Sequence, residues 1–461
     1  MKQSEALDIL MMGKNVFLTG QAGSGKTFLI NEYVKFLKKN KIGVAITAST
    51  GIAATHLGGS TIHSWSGIGI KKDLSETDIT KLKSNLNVRA RISTPKVLVI
   101  DEISMLHSYR LDTINKICKK IRENNEPFGG LQVILCGDFF QLPPVNDEGE
   151  EKSSFAYKAD VWQELDLHVC YIDEQHRQWD ESFLKVLNDI RSSSPEESTY
   201  EKLQTRMNAT LPKNILPTKL FSHNVDVDAI NNAELAKINT PEKIYEMQFK
   251  GARGLTDAIK KGCLAPEVLI LKKGASVMFV KNNPNKGYIN GTLGKVLDFN
   301  EEGFPIVETY SGREIVASPA SWKLEDNEII LAEITQIPLR LAWAITIHKS
   351  QGMSLDTAEI DLSRSFSYGM GYVALSRLRS LAGLRLLGIN QMAFLVDEEI
   401  SALDSDFKKA SAAAASQLKN MKTADIKKWQ KQFLKNLKTK NKKQQNAESE
   451  NKIFNILFNE D

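Results

Sequence analysis

The stretch from Asn15 to Thr27, Asn-Val-Phe-Leu-Thr-Gly-Gln-Ala-Gly-Ser-Gly-Lys-Thr, limits what this chain can fold into more than any other. Val16-Phe17-Leu18 is an apolar run suited to a buried strand. It ends in a glycine-punctuated loop with the full G-x-x-x-x-G-K-[ST] pattern from Gly20 to Thr27. Such a loop is a phosphate cradle. Gly20, Gly23 and Gly25, with Ala22 and Ser24 between them, let backbone N–H groups turn toward a polyphosphate. Lys26 brings a point charge to the β- and γ-phosphates, and Thr27 offers a hydroxyl to Mg²⁺. Phe28-Leu29-Ile30 then opens a helix whose N-terminal dipole adds to the same attraction. A glycine-rich turn with no ligand has no need of a lysine and a hydroxyl at those two places.

A second buried strand is expected over Gly43 to Ser49. After it come Thr50-Gly51-Ile52-Ala53-Ala54 and Gly58 through Trp65, with Thr61 and His63 among them. Small residues, hydroxyls, a histidine and an aromatic at a strand end suit a sugar-phosphate strand. An ordinary strand–helix connection with Trp65 in the core fits equally well. Lys96-Val97-Leu98-Val99-Ile100 is a third strand, ending in Asp101-Glu102. With the phosphate loop, this pair makes the second half of an ATPase site: Asp101 for the Mg²⁺ shell, Glu102 as general base toward the attacking water. A helix from Tyr109 to Arg122 follows, then a fourth strand from Leu131 to Cys136 leading into Gly-Asp-Phe-Phe-Gln-Leu-Pro-Pro, residues 137–144. Gln141 in that turn either touches a γ-phosphate and its water or is a satisfied amide in a rigid proline loop.

At 461 residues and 42% apolar content, the chain has room for about three domains with sizeable cores. A formal net charge of +4 permits nucleic acid without demanding it. Cys118, Cys136, Cys170 and Cys263 form no C-x-x-C pair, so they are expected as free thiols in a reducing compartment. No run is long and apolar enough to span a bilayer, which points to the cytoplasm or nucleoid and away from membranes.

The set from Gly20 to Thr27, Thr47 to Trp65 and Val99 to Leu106, and above all Pro127-Phe128-Gly129-Gly130 followed by residues 137–144, resembles the Pif (petite integration frequency) DNA helicases, the 5′-to-3′ branch of helicase superfamily 1. Further matches lie downstream. Tyr171 to Gln178 is similar to the family's fourth motif and implies that Arg177 lies near the γ-phosphate. Ser222-His223-Asn224 implies a backbone contact to the tracked strand by His223 and Asn224. His348-Lys349-Ser350-Gln351-Gly352 implies strand contacts by His348 and Ser350 and a phosphate contact at Gly352, and Gly371 to Arg377 implies an arginine finger at Arg377. The glutamine at Gln3, upstream of the loop, either reads an adenine edge or is a solvated side chain near a frayed end.

The resemblance implies an α/β fold of two RecA-like parallel-sheet domains with an inserted small β-barrel and a C-terminal helical tail. The first RecA-like domain spans 1–195, with a lysine-rich, wedge-like excursion at about 66–92, and the second spans 196–258 and 339–396. The barrel spans 259–338, and a basic, partly disordered tail spans 397–461. It implies ATP and Mg²⁺ as cofactors. The implied partners are single-stranded DNA, forked or tailed duplexes, and also G-quadruplexes and RNA–DNA hybrids, engaged by a protein that is monomeric in solution. An RNA helicase, or a nucleotide-gated binding protein that does not unwind, are the competing readings. In the tail, Leu418, Met421, Ile426, Trp429, Phe433 and Leu437 recur at helical spacing among many lysines. That pattern describes a basic amphipathic helix that docks on the core and meets duplex DNA, one that recruits a partner, or one that is merely solvated.

Overall fold

The structure is a computed structural model that describes residues 1–69, 74–144, 154–175, 180–211, 217–221, 227–288, 290–309, 312–326, 329–348 and 350–438. Its first sheet contains β1 (Val16–Gly20), β2 (Val44–Ala48), β3 (Ser60–Thr61), β4 (Val97–Asp101), β5 (Gln132–Cys136) and β6 (His168–Ile172) in the order β3-β2-β4-β5-β1-β6. Every pairing is parallel. Helices cover both faces of such a sheet, so β1, β4 and β5 are buried along their whole length and read as unbroken apolar runs rather than alternating ones. Because β1 lies between β5 and β6, the phosphate loop leaves the sheet beside the tips of β5 and β6, with β4 one strand further on.

After β7 (Thr218–Phe221) the chain enters a strand-rich insertion: β8 (Glu242–Glu246), β9 (Gln248–Gly251), β10 (Val268–Lys272), β11 (Ser276–Phe279), β12 (Leu293–Phe299), β13 (Pro305–Thr309), β14 (Glu314–Val316), β15 (Ala320–Asp326), β16 (Ile329–Gln336) and β17 (Leu339–Leu341). These strands form antiparallel ladders ordered β14-β13-β12-β11-β17, β15-β16-β9 and β10-β8. The insertion is a stack of small sheets: the ladder of five and β10-β8 enclose the Leu269, Val277, Phe279 and Val307 core, while Trp322, Ala332 and Ile334 of β15 and β16 pack into the main core. Strands β8 and β9 and the helix Arg253–Gly262 belong to this stack through β10 and β16, although β8 and β9 precede residue 259. The chain then returns through β18 (Ala344–Thr346), β19 (Ala358–Leu362) and β20 (Leu384–Ile389), which complete a second parallel sheet, β18-β7-β19-β20.

The excursion is more ordered than its polar composition suggests, and the tail docks on the core, one of the readings its pattern allowed. In the lysine-rich excursion, 70–73 lie outside the described residues, and the rest is two short helices, Glu76–Ser84 and Leu86–Ser93. Ile79, Val88 and Ile92 are buried in the main core, and Lys83 pairs with Glu123 at 2.7 Å. These few apolar anchors fix the segment despite its polar average and leave Leu86 77% exposed where the helices meet. At the C-terminus, the helix Glu398–Asn420 returns to the first sheet, where the Ser411 hydroxyl accepts the Tyr171 N–H at 2.9 Å. A further helix over 423–438 lays Ile426, Phe433, Leu434 and Leu437 on the cluster built by Ala6, Ile9, Leu10, Leu29 and Tyr33. All four cysteines are free thiols, with Cys118, Cys136 and Cys170 buried and Cys263 partly so. No helix among the described residues is long and apolar enough to cross a membrane.

Candidate nucleotide site and strand path

The phosphate loop is shaped by positive φ angles at Gly20 (141°), Gly23 (88°) and Gly25 (81°). At Gly20 a side chain is also excluded by space, since a Cβ there would lie 2.5 Å from the Ile172 carbonyl oxygen. The helix Lys26–Lys39 starts directly from the loop, with Thr27 and Phe28 exposed on its first turn. The Lys26 ammonium donates to the carbonyls of Gly20 (2.8 Å) and Gln21 (3.0 Å) and so lies across the mouth of the cradle. Gln3 belongs to this site: its side-chain amide donates to the Ser24 carbonyl at 3.0 Å. Loop, lysine and exposed hydroxyl together form the donor set that a Mg²⁺-bound polyphosphate requires.

Asp101 and Glu102 sit at the tip of β4. Burial raises the Asp101 carboxyl, while the Cys136 thiol, the Glu102 N–H and Lys26 pull it down. Glu102, in the left-handed region at φ 52°, is pushed up to about 7 by burial and by Asp101, against the opposing charges of Lys26 and Arg377. A carboxylate in that range is matched to taking a proton from water near neutrality.

Residues of the second domain close over this pair. The Gln351 side-chain amide donates both to Glu102 Oε2 (3.3 Å) and to Gln141 Oε1 (3.1 Å), and its own carbonyl oxygen has no partner among the described residues. Arg377 is buried, with Nε donating to the Val373 carbonyl and Nη2 to the Ser376 hydroxyl, both at 2.9 Å. Five residues earlier on the same segment, the Tyr372 hydroxyl accepts the Ala22 N–H at 3.0 Å. Buried Arg191 completes the arrangement. Its Nη1 donates to both Asp138 oxygens (2.9 and 2.8 Å) and to the Tyr372 hydroxyl (3.2 Å), its Nη2 to the Tyr171 hydroxyl (3.0 Å) and Asp404 (3.2 Å), and its guanidinium stacks 4.0 Å from the Phe140 ring centroid.

Comparison with known proteins agrees with this architecture. The family model described as PIF1-like helicase matches residues 3–196, and one described as DNA helicase Pif1, 2B domain, matches 254–299. The chain is similar to the ATP-dependent DNA helicase Pif1 of Psychrobacter, at 43% identity over 90% of this chain and 72% of that protein. The chain belongs to the PIF1-like helicase family. It is an ATP-hydrolysing enzyme of the helicase class. Among solved structures it resembles Bacteroides Pif1 in complex with ADP-AlF4, with TM-score 0.76 and 31% identity over 88% of this chain and 96% of that one. It also resembles Bacteroides Pif1 with ADP-AlF3 and single-stranded DNA, with TM-score 0.60 and 32% identity over 90% and 98%.

For a PIF1-like helicase the expected strand contacts are placed unevenly. Thr50 and Thr61 sit at the ends of β2 and β3, where their hydroxyls accept the N–H of Ala53 (3.3 Å) and Ser64 (3.2 Å). Gly51 begins the helix Gly51–His56 beside them. His63 is held neutral near pH 7, its pKa pushed down to about 4 by burial and by Arg110 and His107. Trp65 is 3% exposed and belongs to the core, so stacking on a base is not its role. His348 is half-buried at the end of β18, and burial lowers its pKa. Ser350 turns inward: it is fully buried and donates to the Ile347 carbonyl at 2.7 Å, because the tight turn after β18 consumes its hydroxyl. Gly352, at φ 78°, is exposed in the same turn. Arg177, His223 and Asn224 lie outside the described residues.

Three participants escaped the sequence reading: Gln351, Tyr372 and Arg191. The first two stand inside recognised blocks with nothing local to single them out. Arg191 carried a faint signal, an arginine adjoining the apolar stripe Phe183, Val186, Leu187 and Ile190 of the helix Glu181–Arg191.

Proposed function

We propose that this helicase uses Mg·ATP to move 5′-to-3′ along single-stranded DNA and to part duplexes at a fork, with G-quadruplexes and RNA–DNA hybrids as further substrates. The reading takes the two parallel sheets, β3-β2-β4-β5-β1-β6 and β18-β7-β19-β20, with their helices as walls of the motor. A single chain acts as the working unit in the nucleoid. Polarity and the non-duplex substrates rest on the family resemblance.

The observation that carries the mechanism is the reach of Gln351 from the second domain to both Glu102 and Gln141. In this reading Gly20 to Phe28 cradle the polyphosphate while Gln3 braces the loop from outside. Lys26 moves from the loop carbonyls to the phosphates. Thr27 and Asp101 would hold Mg²⁺, which would supply charge neutralisation for the polyphosphate. Glu102 takes the proton of the attacking water, and Gln141 orients that water. Arg177 and Arg377 meet the charge developing on the transferred phosphoryl group, a role worth about 10³ to 10⁵ in rate for such arginines. Closing and opening of the cleft then alternates the grip of Thr50, Gly51, Thr61 and His63 on one wall with that of His223, Asn224 and His348 on the other.

Strand separation with Mg·ATP is the test, on identical duplexes bearing a 5′ or a 3′ single-stranded tail, alongside Lys26→Ala. Opening of the 5′-tailed duplex alone, lost with Lys26→Ala, is expected. Opening of the 3′-tailed duplex overturns the polarity, and ATP turnover without opening of either overturns the motor.

A further inference from the structure

The helix over 423–438 has two distinct faces. Ile426, Phe433, Leu434 and Leu437 pack on the first domain, and the Gln430 side chain donates to Asp8 at 2.9 Å. Phe433 lies over Gly13 and Trp429 beside Lys14, so the helix sits under the N-terminal end of β1, the sheet edge opposite the phosphate loop. At 3.6 residues per turn, Lys427, Lys428, Lys431 and Lys438 fall within an arc of about 100° on a different side. All are exposed, and none pairs with a carboxylate among the described residues.

Several surface lysines elsewhere are matched, Lys35 with Glu32, Lys119 with Glu164, Lys185 with Glu196 and Lys237 with Glu234, although others, Lys38, Lys39 and Lys116 among them, have no such partner among the described residues. In the preceding helix Lys408, Lys409 and Lys419 pair with Asp404, Asp406 and Glu5. What sets the four lysines of the terminal helix apart is that they share one side of a helix clamped by its other side, with no carboxylate among the described residues to neutralise them.

We propose that this lysine ridge is a second DNA-binding surface, remote from the motor cleft, that holds the phosphate backbone of duplex DNA. Four facts favour that occupant. The ridge is long enough: Lys427 to Lys438 spans about 16 Å at 1.5 Å per residue, the axial reach of about five phosphates on one strand. It is anchored, so little ordering entropy opposes binding beyond the lysine side chains themselves. A bilayer would require the apolar stripe, which is already buried against the first domain. A single strand would call for aromatic rings interleaved with the charges, and the ridge carries none, Trp429 lying on another side beside Lys14. The function is a tether: the duplex flanking the fork is held while the cleft steps along the other strand.

The inference rests on DNA being the substrate, and the experiment separates the two. In the full chain, Lys427, Lys428, Lys431 and Lys438 are changed together to Gln, with a control carrying Lys35→Gln, Lys119→Gln, Lys185→Gln and Lys237→Gln. Blunt-duplex affinity is measured from 50 to 200 mM salt, and ATP turnover is measured with a short oligothymidylate. The ridge variant is expected to lose at least tenfold in duplex affinity at low salt. Its slope of log K against log salt should fall by up to about 3.6, at roughly 0.9 per lost phosphate contact. Oligothymidylate-stimulated turnover should be unchanged, and the control should match the parent. An unchanged duplex slope, an equal loss in the control, or an equal loss of oligothymidylate stimulation each overturns the ridge, the second by showing a mere net-charge effect. A duplex slope unchanged for DNA but a lost interaction with an acidic polypeptide would assign the ridge to a protein partner instead. A parent that DNA does not stimulate overturns the substrate reading, while the duplex slopes still judge the ridge.

Discussion

The hydroxyl of Tyr372, on the segment that ends in Arg377, accepts the backbone N–H of Ala22 in the phosphate loop at 3.0 Å. Both groups are buried, so the loop's shape and the second domain's position are tied by one atom. Tyr372→Phe keeps the ring and removes that acceptor, stranding a buried N–H at a cost of about 1–3 kcal/mol. A lowered thermal midpoint and a raised KM for ATP are expected, and an unchanged midpoint would mean the contact contributes nothing.

The pH dependence of turnover follows from Glu102. Its pKa is pushed up to about 7, and only its carboxylate form accepts a proton, so kcat/KM for ATP should fall as pH drops through about 7. Gln351→Leu removes a hydrogen bond donated to the charged form. Losing that bond raises the pKa further, so the acid limb should move to higher pH. An acid limb that stays in place after the substitution separates Gln351 from the base.

Leu86 is the exposed apolar tip between two helices that bury Ile79, Val88 and Ile92. Removing the whole excursion would open the core, which makes Leu86→Asp the cleaner probe of a duplex-parting role. Unwinding of a 5′-tailed duplex should drop severalfold while DNA-stimulated ATP turnover stays within about twofold, because the tip opposes stacking of about 1.4 kcal/mol per base-pair step. Equal unwinding by parent and variant would remove this segment from strand separation.

Gly13 combines φ 83° with a ring above it, since a Cβ there would come within 2.2 Å of Phe433. Gly13→Ala therefore strains the backbone and lifts the terminal helix, at a combined cost of about 1–2 kcal/mol. Limited trypsin digestion should cut after the tail lysines faster than in the parent. An unaltered digestion rate would show that the helix is held independently of this contact.

How far the sequence carries can be argued from these residues. Gly20 to Thr27 and Asp101-Glu102 are legible because each is a local pattern on a strand that is apolar throughout, which both places it and gives its chemistry. The strands Val268–Lys272, Ser276–Phe279 and Leu293–Phe299 are likewise short apolar runs between turn residues, a local pattern. Gln351 and Arg191 were not. Gln351 meets Gln141 across 210 residues and Arg191 meets Asp404 across 213, and no local pattern encodes a contact between distant segments. Trp65 shows the converse limit: a residue type suited to nucleic acid takes its role from burial, which adjacent residues do not reveal. Ser350 is the same lesson for a hydroxyl, which the turn after β18 directs inward to the Ile347 carbonyl.

Pro127 to Gly130, the block on which the family resemblance leaned most, makes no contact with the nucleotide site among the described residues. Phe128 is fully buried, its N–H donates to Asn115 Oδ1 at 2.8 Å, and a Cβ on Gly129 would crowd the Cys118 carbonyl oxygen at 2.8 Å. It is a corner that feeds the chain into β5 from the edge away from the chemistry. Kinship recognised through this block is kinship of scaffolding. A relative could keep the corner, lose Glu102, and remain an unmistakable cousin with a dead engine.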